Sequence, residues 1–148
     1  MPKPVFQART ALTTEDQDKV RTALLALEAV VTTLGRDYKY PKKDRAFEQC
    51  VYVYAGHPDC IAGRTLHLLG TPLEVLEMWE QNPVASMGGT MTSNLGHVRR
   101  VTPVYQSQCV LFMLDVAQTH SDIGKDWGFC LDTALKFAET EYGVTIHE

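Results

Sequence analysis

The feature that most constrains this chain is an unbroken apolar run, Val110 to Leu114, inside the stretch Pro103 to Thr119. Cys109, Val116 and Ala117 extend it. At the helical period the polar residues Gln108, Asp115 and Gln118 form only a narrow wet stripe. A helix apolar almost all round is a buried helix. This one is too short, and too polar at both ends, to cross a bilayer, which takes about 20 apolar residues. The run predicts a central core helix, Val104 to Ala117, with Phe112 and Met113 hidden. The expected fold is mainly α, about five helices packed around it.

The remaining elements follow from periodicity and caps. Thr13 and Thr14 are good N-cap residues, and Thr14 with Gln17 fits a capping box. Val20, Ala23, Leu24, Leu27, Val30, Val31 and Leu34 then repeat at i, i+3, i+4 and i+7, the cleanest amphipathic helix in the chain, with Gly35 as its stop. Cys50 to Tyr54 is β-branched and aromatic and predicts a short strand. Ala55 to Asp59 is a turn after it, and Val144 to His147 is the one late segment that could pair with the strand. Asp59 is expected to cap a helix from Cys60 to Leu69 that ends at Gly70. Gly63 would let another helix approach it closely. Thr71-Pro72-Leu73-Glu74 then forms a capping box with proline at the first helical position. Leu73, Leu76 and Trp79 make the inward face of that helix, and Asn82-Pro83 stops it. After the central helix, Ser121 to Gly124 is a turn. Asp126 caps a last helix with Trp127, Cys130, Leu131, Ala134 and Ala138 on one face and Gly143 at its end. The last two helices form an antiparallel hairpin. Met1 to Leu12 is expected to be an extended arm, and residues 13–148 one helical domain.

With 148 residues, the chain is long enough to bury a core of its own. A net charge of −4 argues against wholesale binding of polyanions, but leaves room for a local basic patch. The first residues lack a charged segment followed by an apolar one, so a secretory leader is not expected. Cys50, Cys60, Cys109 and Cys130 are expected to be reduced thiols in a cytoplasmic protein, within the host cytoplasm if the gene is a phage's.

Pro58-Asp59-Cys60-Ile61-Ala62-Gly63-Arg64, followed by Leu66, Leu69 and Gly70, forms one recognisable pattern. Ala117-Gln118, Asp122, Gly124, Trp127-Gly128 and Ala134 form another. Together they resemble small domain-of-unknown-function proteins of actinobacteria and actinobacteriophages, marked by a Cys-x-x-Gly helix start and a late Trp-containing helix. The resemblance implies a phage or mobile-element origin. It brings no activity and no catalytic residues.

Candidate chemistry is sparse. Cys50, His57, Cys60 and His67 are close in sequence. However, Cys60 and His67 on one helix would sit about 10 Å apart along its axis, too far to share a zinc ion, so no metal and no cofactor is expected. Cys60 at a helix N-terminus would feel the positive end of the dipole, and His57 is near enough to act as its base, which makes a cysteine-dependent enzyme one alternative. Neither a P-loop nor a dinucleotide fingerprint is present. The last helix carries Asp132, Glu139 and Glu141 where a groove reader should be basic. Asp115, in the most apolar helix, belongs either on the wet stripe or beside Arg64 or Arg99.

The residues therefore favour a non-enzymatic accessory protein that binds another protein or itself as a homodimer, with no membrane role. Exposed Tyr38, Tyr40 and the loop from Met87 to Arg100 are its candidate surface, since aromatic and arginine side chains dominate interface energies. The other alternative is association with nucleic acid through the loop Arg36 to Arg45. There Arg36, Lys39, Lys42, Lys43 and Arg45, joined by Arg99 and Arg100, would meet phosphate, with tyrosines to stack or else to cover the edge of the core.

Overall fold

The computed structural model describes residues 12–41, 53–80 and 108–147, and the architecture is mainly helical. Five helices are described: α1 (Thr14–Leu34), α2 (Ile61–Leu68), α3 (Leu73–Glu80), α4 (Gln108–Asp122) and α5 (Trp127–Tyr142). Two short strands, β1 (Val53–Tyr54) and β2 (His57–Pro58), precede α2.

α1 forms where the period is cleanest. Val20, Ala23, Leu24, Leu27 and Val31 are wholly buried along one face. Its cap is Thr13, whose hydroxyl accepts from the Asp16 amide at 3.1 Å. The cap is thus Thr13, the first of the two candidates, and not Thr14. α4 and α5 pack as the expected antiparallel hairpin, α1 lies across both, and α2 rests on α1 and α4. Val110, Leu111, Met113, Leu114 and Ala117 of α4 meet Trp127, Cys130, Ala134 and Ala138 of α5 in one apolar cluster, which Ile61, Leu66, Leu76 and Val144 complete.

The central helix differs from expectation in two ways. It runs on through Ser121 and Asp122, while residues 104–107 lie outside the described part. It is also not hidden all round: Met113 is fully buried, but Phe112 is 42% exposed. An apolar run of five cannot all face one way in a helix, because successive side chains turn by about 100°. Gln118 corrects the wet stripe in the other direction. It is buried, and its Oε1 accepts from the Ala62 amide at 3.0 Å while its Nε2 donates to Asp122 at 2.7 Å.

That contact is one half of an unusual cap. The N-cap of α2 is Cys60, whose sulfur accepts from the Gly63 amide at 3.3 Å, and Gln118 of α4 satisfies the neighbouring amide. Asp59, expected in the capping role, sits one residue earlier and receives the Tyr40 hydroxyl instead. The box expected at Thr71 and Glu74 is not made: α3 starts at Leu73, and the buried Thr71 hydroxyl has no hydrogen bond among the described residues.

The strand pairing also differs. β1 pairs antiparallel with β2, placing Val53 opposite Pro58 and Tyr54 opposite His57. The two-residue turn holds Ala55 at φ 52° and Gly56 at φ 82°, positive at both positions as the tightest hairpin turns require. Residues 144–147 form no strand. Gly143 closes α5 in the left-handed conformation, the Val144 amide reaches back to the Ala138 carbonyl at 3.2 Å, and the Val144 side chain is buried.

The N-terminus of α5 joins these parts. The Asp126 side chain accepts from the Phe129 amide at 2.8 Å, as expected of an N-cap. The Trp127 amide donates to the Tyr38 carbonyl and the Gly128 amide to the Arg36 carbonyl, both at 2.8 Å, so the loop after α1 satisfies the first two amides of α5. Trp127 is fully buried, its Nε1–H donates to the Ser121 hydroxyl at 3.1 Å, and Tyr38 meets its ring edge-on at 4.6 Å. A Cβ on Gly128 would lie 2.8 Å from the Arg36 Cβ and 2.9 Å from the Arg36 carbonyl oxygen. Both obstacles lie on or next to the backbone and cannot swing away. Gly128→Ala is therefore expected to destabilise the fold by about 1–3 kcal/mol despite the better helix propensity of alanine. Urea denaturation would show this as a lower midpoint at unchanged slope.

Candidate functional site

Of the sequence-predicted residues that the structure describes, Tyr38, Tyr40, Arg36 and Cys60 serve the fold. Tyr38 and Tyr40, expected to be exposed, are half-buried: one covers the Trp127 edge and the other donates to the Asp59 carboxylate. They take the core-covering role that the sequence left open. Arg36 pairs with Asp132 at 2.5 Å and donates to the Gly128 carbonyl at 3.3 Å, and the carboxylate holds its guanidinium pKa above the ordinary value. Both ends of this ion pair are more than half exposed, so it adds little stability. Arg64 donates to the Asp59 carbonyl at 2.8 Å and lies 6.0 Å from the centre of the Trp127 ring. Lys39 is exposed. Lys42, Lys43, Arg45, Arg99, Arg100, Cys50 and the loop 87–100 lie outside the described residues.

Cys60 and His57 are placed differently. His57 is exposed on β2, whereas Cys60 is fully buried with its sulfur turned into the first turn of α2. His67 is exposed and its Nδ1 lies 3.1 Å from the Thr71 carbonyl. Among the described residues no three His, Cys, Asp or Glu side chains come together in a way that could hold a metal ion. None of the described helices is long and apolar enough to cross a membrane. Cys130 is buried, and burial first, then the charges of Asp126 and Asp122, push its thiol up to about 12. Burial also raises the carboxyl of Asp122, although the Gln118 hydrogen bond works against it.

The surface feature that sequence reasoning missed lies on the outside of the α4–α5 hairpin. Phe112 and Ile123 stand at i and i+11, so after about three turns they return to the same side of α4. They are 42% and 67% exposed. Half-buried Val116 and His120 lie between them. Across the hairpin, Phe129 of α5 is 44% exposed and its ring centre is 5.4 Å from that of His120. The Lys125 ammonium lies 5.3 Å from the centre of the Phe129 ring. The backbone beneath is fixed: the His120 Nδ1 is 2.8 Å from the Val116 carbonyl, and α4 and α5 share the core. Individually exposed apolar residues are ordinary, and three of them on one helical hairpin make this face the candidate surface. It could have been found by wrapping residues 108–123 on a helix and noting that Phe112 and Ile123 coincide opposite Met113 and Leu114.

No family model, curated protein or solved structure matches the chain.

The placement of the thiols makes a clear expectation. Native protein treated with iodoacetamide near neutral pH should carry no label at Cys60 or Cys130, and should gain it there in denaturant. Peptide mass spectrometry reads both sites, and native-state labelling of Cys60 would contradict its capping role.

Proposed function

We propose that the protein acts by protein–protein binding and that the outer face of α4 and α5 makes the contact. The observation that carries this reading is that Phe112, Ile123 and Phe129, each more than 40% exposed, stand on α4, the turn after it and α5, two helices packed in one core. Large aromatic side chains on fixed backbone lose little entropy on binding and bury much apolar area, the profile of an interface anchor. Of the surface first expected, Tyr38 and Tyr40 are half-buried against the core and the loop from Met87 to Arg100 lies outside the described residues, so this face carries the reading. The likeness to small proteins of actinobacteria and their phages adds a phage or mobile-element origin to the proposal, and the host cytoplasm as the place of action.

The two alternatives draw less support. A nucleic-acid role needs free cations and stacking rings, and in the described part of the basic loop Arg36 is matched by Asp132 and the two tyrosines turn inward. A thiol enzyme needs an accessible nucleophile, and Cys60 is buried.

A photo-crosslinking side chain placed at Phe112 or Phe129 of the full chain, in cells that express it, should yield protein adducts. The same group at Thr22, exposed on α1, should not. Adducts of equal yield from all three positions, or none from Phe112 and Phe129, would contradict the reading.

A further inference from the structure

We draw no further inference here: the strongest candidate, the outer face of the α4–α5 hairpin around Phe112, Ile123 and Phe129, is an unpartnered apolar face, and nothing in the structure shows what covers it.

Discussion

The structure depends on how the first turn of α5 is satisfied. A helix N-terminus exposes amides with no partner inside the helix, and burying them unpaired would cost about 1–3 kcal/mol each. Here the loop after α1 supplies carbonyls from Tyr38 and Arg36, and Asp126 supplies the third acceptor. The amides fix that loop in place. The loop in turn places Tyr38 against Trp127 and Tyr40 against Asp59, directly before the first turn of α2. One set of hydrogen bonds therefore holds the end of α1, the start of α5 and the entry to α2 in register, with Trp127 filling the space between them.

A second cap repeats the logic from the other side. Gln118 reaches from α4 to the Ala62 amide of α2, while Cys60 covers the next amide from within the turn. A thiol is a weak acceptor and Cys60 reaches only the Gly63 amide, so the Ala62 amide takes its acceptor from the neighbouring helix. The consequence for function is direct. Both helix starts that could have bound an anion or activated a nucleophile are filled by the protein's own groups. Among the described residues, the outside of the α4–α5 hairpin is the face we propose for a partner.

Legibility in the sequence followed the range of the forces involved. α1 and α5 could be read because their apolar residues repeat at the helical period, and Asp126, Gly35 and Gly143 act on amides and carbonyls within a turn of themselves. The β hairpin was obscured because its turn is Ala55-Gly56, without the asparagine or aspartate that usually announces positive φ at the first position. Gln118 read as wet because its partner, the Ala62 amide, is distant in sequence. Tyr38 and Tyr40 could be assigned to a binding surface or to the edge of the core until the Trp127 amide fixed the loop beside them. The candidate face was lost inside the strongest signal of all: the run from Val110 to Leu114 was read as uniformly buried, although its helical geometry obliges Phe112 to point away from Met113 and Leu114.

The junction of α5 with the loop after α1 is expected to open only when the whole molecule opens. Native-state hydrogen exchange at the backbone amides of Trp127 and Gly128 tests that directly, since first-turn amides of an ordinary helix exchange through local fraying. Both should be protected as strongly as the slowest core amides of α1 and α4, with the denaturant dependence of global unfolding. Exchange at Trp127 and Gly128 as fast as at a frayed helix end would contradict it.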